Sequence, residues 1–208
     1  MPRSATALTK LKPMTLEEWG DLDEDIEGEL VDGVLEEEEM ATFLHELVVM
    51  WLARILGAWA RRRQAHIAGS EAKIAVGSRR GRKPDLSIYL RGKAPALADS
   101  LVRIPPHLVV EVISPRPRDA RRDRVEKISD YARAGISYYW ILDPQLRTLE
   151  ILEREPGARY RVALARSRGK VRIPGCPGLL LNLDDLWAEV DEADRQQKRR
   201  MKSGRRPP

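Results

Sequence analysis

The sequence has a single cysteine, Cys176, among 208 residues. That excludes an internal disulfide framework and a cysteine-rich metal site. Phenylalanine also occurs once, and aromatic residues make up 5%. No run reaches the ~20 apolar residues that a membrane span needs. The most apolar stretch, LVVMWLARILGAWA, is broken by Arg54. The first residues, MPRSATALTKLKP, lack the apolar core of a secretion signal. These absences lead us to expect a cytoplasmic protein with no membrane partner.

What is present fits one domain with a core of its own. Hydrophobic residues are 42% and charged residues 33%. The net charge of +5 hides a division. Residues 1–50 hold three basic and fourteen acidic side chains, and the rest hold 34 basic and 18 acidic. A basic surface of that kind suits a polyanion as readily as it suits plain solvation.

Residues 1–13 read as a flexible leader. Thr15, followed by Glu17 and Glu18, has the form of a helix cap with acids in the first turn. In GELVDGVLEEE, Asp32-Gly33 sits between strand-like runs and predicts a tight hairpin, with Glu29 on its first strand. Glu36 to Glu39 read as a solvated edge. Residues 41–63 predict an amphipathic helix with His45 near the edge of its apolar stripe. AHIAGSEAKIAVG, PDLSIYL, LVVEVI and SYYWILD read as strands, TLEILER and RYRVALA as an antiparallel pair. SRRGRK reads as a basic loop and SPRPRD as a turn. A helix is expected from about Ala120 to Ala134, with Gly135 just beyond its end. LLLNLDDLW predicts a short final helix. Residues 194–208, with seven basic residues and one acid, predict a disordered basic tail after a domain spanning 14–193. The fold class expected is α/β (mixed α+β), a mixed β-sheet core flanked by helices.

Two of the core strands each carry an acid. In PDLSIYL, Asp85 shares a face with Ser87 and Tyr89; in LVVEVI, Glu111 shares one with Val109 and Ile113. On neighbouring strands the two carboxylates would point into one pocket. Like charges that close require protonation or a cation between them. A hard divalent ion such as Mg²⁺ or Mn²⁺ suits such oxygens. Taken singly, Asp85 reads better as a turn or cap residue and Glu111 as a partner for one of 37 basic residues; together they point to a site.

These pieces, in this order, resemble the Uma-type restriction endonuclease branch of the PD-(D/E)XK nuclease superfamily. GELVDGVLEEE resembles its opening hairpin and KPDLSIYL its Pro-Asp strand. HLVVEVISPRPRDARRDRVEKISDYARAGISYYWILDP resembles its longest block, and PGLLLNLDDLW its closing segment. The resemblance runs from about Thr15 to Val190. It implies a restriction-endonuclease-like fold, a metal site at Asp85 and Glu111, and DNA phosphodiester hydrolysis. It also implies that Glu29 assists the metal and that His45 contacts phosphate or orients a ligand.

One position departs from the superfamily pattern. The usual lysine, two residues after the second acid, is Ile113. The resemblance implies that a lysine on the following helix takes over this role, and Lys127 is the only lysine there; a solvated lysine paired with Asp123 or Asp130 is the plainer alternative. Tyr131, one turn on, reads as a packing residue with a polar tip. The leading expectation is a Mg²⁺-dependent DNA endonuclease. The alternative is a catalytically inactive nucleic-acid-binding module on the same fold. A single site cutting both strands of a duplex would favour a homodimer.

Overall fold

The computed structural model describes residues 13–23, 25–37, 41–116 and 121–202. The leader to residue 12, Glu38 and Glu39, the second half of the SPRPRD turn, the expected helix start at Ala120, and residues 203–208 lie outside them.

The chain opens with α1 (Leu16–Gly20), closed at its start by a capping box between Thr15 and Glu18. A hairpin follows, β1 (Glu29–Val31) and β2 (Val34–Glu36), with Val31 paired to Val34. Asp32 and Gly33 both take positive φ, 52° and 83°, as a two-residue primed turn requires. The long helix α2 (Phe43–Arg61) starts at its Thr42 cap. Then come β3 (His66–Ala68), β4 (Ile74–Gly77), β5 (Arg80–Arg82), β6 (Leu86–Tyr89) and β7 (Leu108–Val112). A π-helical stretch, Arg122–Glu126, runs into α3 (Lys127–Ala134), which ends at Gly135 with φ 86°. The chain closes with β8 (Tyr138–Asp143), β9 (Thr148–Glu155), β10 (Arg159–Arg166), β11 (Lys170–Arg172), β12 (Leu180–Asn182) and α4 (Leu183–Lys202).

Six strands form the central sheet in the order β10-β9-β8-β7-β6-β3. Only β7 and β8 run parallel within it, joined by α3. A smaller sheet, β2-β1-β5-β4, is not hydrogen-bonded to it and packs against one of its faces through Ile74 and Val76. Alternation along the strands divides the core. Leu86, Ile88, Val110, Trp140 and Leu149 pack with α2 and α4. Val109, Ile113, Tyr139 and Ile141 pack on the other face with Tyr131 of α3 and Ile74 of β4. α2 has the length and apolar composition of a membrane span. Its stripe of Val48, Trp51, Leu52, Leu56 and Trp59 is buried in this core instead. Each such side chain contributes about 1.5–3 kcal/mol when fully buried.

Two expectations are corrected. SRRGRK is not a loop: Arg80–Arg82 form β5, paired with β4 and β1. Gly81 makes this possible, because Trp19 lies against the place where a side chain would start. The final helix is not short either. α4 continues to Lys202, through the first part of the segment expected to be disordered. Its outer turns are exposed and carry pairs at helical spacing, Arg195 with Glu192 and Lys198 with Asp194.

Candidate active site

Strands β6 and β7 are antiparallel neighbours, with Leu86 opposite Val110. One residue further along, the same register sets Asp85 opposite Glu111. Both border a cleft of about 430 Å³ that also takes in His45, Asp123 and Lys127. α2 reaches the cleft from one side of the sheet; the π-helical stretch and α3 reach it from the other. Asp85, Glu111, Lys127, Glu29 and His45, singled out in the sequence, therefore meet at one end of the sheet.

Asp85 is held by Oδ2, which accepts the Val112 N–H at 2.6 Å and lies 3.2 Å from His45 Nε2. Burial alone would lower the His45 pKa. Its bond to Asp85 and that carboxylate's charge, with Glu46 behind it, raise the value above the ordinary one. His45 is thus in direct contact with the Asp85 carboxylate.

Glu111 is buried. Its Oε1 accepts from Lys127 Nζ at 2.9 Å and from the Tyr131 hydroxyl at 2.5 Å. Lys127 Nζ also lies 3.2 Å from Asp123 Oδ1 and 3.3 Å from Glu29 Oε1. One ammonium therefore faces three carboxylates. Burial would lower the Lys127 pKa, but Glu111, Glu29 and Asp123 raise it well above its usual value. Glu111 moves the other way for a carboxylate. Its burial outweighs the Lys127 charge, and neighbouring Asp123, Asp85 and Glu29 add to the upward shift. Of the two helix partners considered for Lys127, Asp123 is the one in contact. The wide turn of the π-helical stretch sets Asp123 there, and Tyr139 donates to the Asp123 carbonyl at 2.9 Å.

Glu29 borders the cleft but spends both oxygens inside the protein. Oε2 accepts from Arg82 at 2.7 Å, and Oε1 accepts the Lys83 N–H at 3.0 Å beside Lys127. Burial opposes its ionisation, yet Lys127 and Arg82 hold its pKa below the normal range. In this arrangement both Glu29 oxygens are taken up by Arg82, the Lys83 N–H and Lys127. Arg82 was missed as a site residue. It is fully buried and turns its other side to Asp130 Oδ2, at 2.7 and 3.0 Å. Nothing local in SRRGRK signals this, because both acids come from distant parts of the chain.

The donors available to a metal are hard oxygens. Among the described residues, Asp85 Oδ1 and Glu111 Oε2 make no hydrogen bond, and both acids line the cleft. No three acidic or histidine side chains among the described residues are gathered closely enough to hold an ion alone. Two carboxylates, with water and a substrate phosphate filling the remaining positions, suit Mg²⁺.

A family model, Uma2, described as "Putative restriction endonuclease", matches residues 15–184. No curated protein matches the chain. Among solved structures, a "putative nuclease belonging to DUF820" from Anabaena variabilis superposes with a TM-score of 0.70 at 20% identity, covering 86% of this chain and 99% of that one. That likeness shows a shared restriction-endonuclease-like fold. The type IIG restriction endonuclease BpuSI aligns with a TM-score of 0.36 at 15% identity, over 59% of this chain and 13% of its own, too slight an overlap to bear on the fold.

Proposed function

The chain belongs to the Uma2 family, and from that membership we propose that it is a metal-dependent DNA endonuclease, hydrolysing phosphodiester bonds in the cleft around Asp85 and Glu111. The observation that carries this is Lys127. Position 113, where the superfamily's lysine would stand, is Ile113 and packs in the core. The helix delivers an ammonium to the second acid instead, 2.9 Å from Glu111 Oε1.

Asp85 and Glu111 would hold the ion through Oδ1 and Oε2. A bound Mg²⁺ or Mn²⁺ supplies Lewis acidity toward water and offsets charge on the phosphate. His45 and the Val112 N–H fix the Asp85 carboxylate. Tyr131 and Lys127 fix Glu111. Lys127, held protonated by its acids, offsets negative charge on the phosphate, and to donate to the attacking water it exchanges one of its three carboxylate partners. Glu29 and Asp123 hold that ammonium in place.

One observation favours a second reading, a nucleic-acid-binding module without catalysis. The Lys127 ammonium already sits among three of the carboxylates around the cleft. Calorimetric titration of Mg²⁺ and Mn²⁺ into wild type and Asp85→Ala, followed by incubation with plasmid DNA, decides between the two. Endonuclease function requires ion binding and nicking by wild type, with both lost in Asp85→Ala. DNA binding by wild type with no ion uptake and no nicking would overturn it in favour of the second reading.

A further inference from the structure

Seven carboxylates line the cleft against three cationic side chains. A wall of that sign repels a polyanion, so a DNA strand needs positive contacts beyond it. In the basic stretch at 79–83, two of the four cations are already taken up by acids. Arg82 is buried between Glu29 and Asp130, and Arg80 is bound to Asp32 and Asp130.

Residues 156–183 have the composition required, with six basic side chains and no acid in 28 positions. Arg166, Arg168 and Lys170, at the turn between β10 and β11, are exposed. None makes an ion pair among the described residues, and Arg166 bonds only the Ala165 carbonyl.

Strand register places this turn. Val112 pairs with Leu142, Leu142 with Leu149, and Leu149 with Arg166. Arg166 therefore lies in the row that starts beside Glu111, at the end of the sheet where the cleft opens. Three strand spacings separate them, about 14 Å. That distance corresponds to about four nucleotides along a duplex. The acids between them are already partnered, since Arg124 pairs with both Asp143 and Glu150.

The turn is also braced. Trp187 donates to the Ser167 carbonyl at 2.7 Å, Gly169 N–H donates to Asp184 at 3.0 Å, and Leu183 N–H donates to the Gly169 carbonyl at 3.0 Å. α4 thereby fixes the backbone while the three cations face solvent, so little ordering of the turn is needed on binding.

We infer that Arg166, Arg168 and Lys170 form a contact for the phosphate backbone of duplex DNA, laid along the strand-end edge from the cleft. The inference deepens the endonuclease reading and rests on it. The test is anisotropy of a labelled duplex with the full chain in EDTA, over a range of NaCl concentrations. Arg166→Gln/Arg168→Gln/Lys170→Gln should weaken binding at least about tenfold. It should also flatten the slope of log K against log salt by about 3, one for each lost phosphate contact. The control is Arg54→Gln/Arg61→Gln/Arg62→Gln. Arg61 lies sixteen residues, about 24 Å, along α2 from His45, and all three side chains are exposed. A wild-type slope in the turn variant would overturn the contact, as would an equal change in the control. Plasmid nicking with Mg²⁺ is scored separately. Absence of nicking by wild type, with the slope still reduced in the turn variant, would sink the endonuclease reading and leave this contact standing.

Discussion

Lys127 Nζ stands 2.9 Å from Glu111 Oε1, on a helix sixteen residues further along the chain from the strand that carries the acid. The ammonium also serves Asp123 and Glu29. Removing it leaves three buried carboxylates facing one another. Lys127→Met should therefore cost about 3–5 kcal/mol in urea unfolding. The double variant Lys127→Met/Glu111→Gln should lose less than the sum of the single losses, because one of the stranded charges is gone. Strict additivity would show that the two groups do not interact. On the endonuclease reading, Lys127→Met also lowers nicking by at least about 100-fold.

Arg82 ties three elements together: the hairpin through Glu29, its own strand, and α3 through Asp130. Its fork reaches both acids at once, which a lysine cannot do. Arg82→Met should destabilise by about 3–5 kcal/mol. Arg82→Lys should recover only part of that. Denaturant midpoints at neutral pH check this, and full rescue by lysine would show that charge alone matters there.

The contrast between Lys127 and Arg82 explains what could be read in the sequence. The Asp32-Gly33 turn, α2 and the facing acids Asp85 and Glu111 all follow from local signals: turn chemistry, helical period and strand alternation. Lys127 was found through a departure from a family pattern, and its site partner Asp123 stood at helical spacing. Arg82 gave no such signal. Its partners lie 53 and 48 residues away, so a local composition rich in arginine and glycine pointed to an exposed loop. The length of α4 was hidden for a similar reason. Net basic charge suggested disorder, while individual acid–base pairs at helical spacing hold the outer turns.

The His45 and Asp85 pair makes stability depend on pH. The folded pKa of His45 is raised, so its protonated form is favoured by folding. That contribution is complete below the unfolded value of about 6.5 and is lost as pH rises through the folded value. In the absence of divalent ions, the melting temperature of wild type should fall relative to that of His45→Asn as pH is raised from acid through neutral. Parallel curves for the two proteins would show that the pair contributes nothing.

Gly81 tests the packing that turned an expected loop into a strand. A Cβ there would overlap the six-membered ring of Trp19, which is fully buried. The ring has little freedom to yield. Its Nε1 donates to the Gly28 carbonyl at 3.0 Å, and the Lys73 ammonium lies 5.7 Å from its centroid. Gly81→Ala should cost at least about 2 kcal/mol. The damage should spread beyond the small sheet, because β5 carries Arg82 and Arg82 positions Glu29 beneath Lys127. Trp19 fluorescence and urea midpoints measure the first effect. On the endonuclease reading, divalent-ion calorimetry measures the second, with weaker Mg²⁺ binding expected in Gly81→Ala. Unchanged stability would mean that Trp19 is free to move and that β5 is held by its arginines alone.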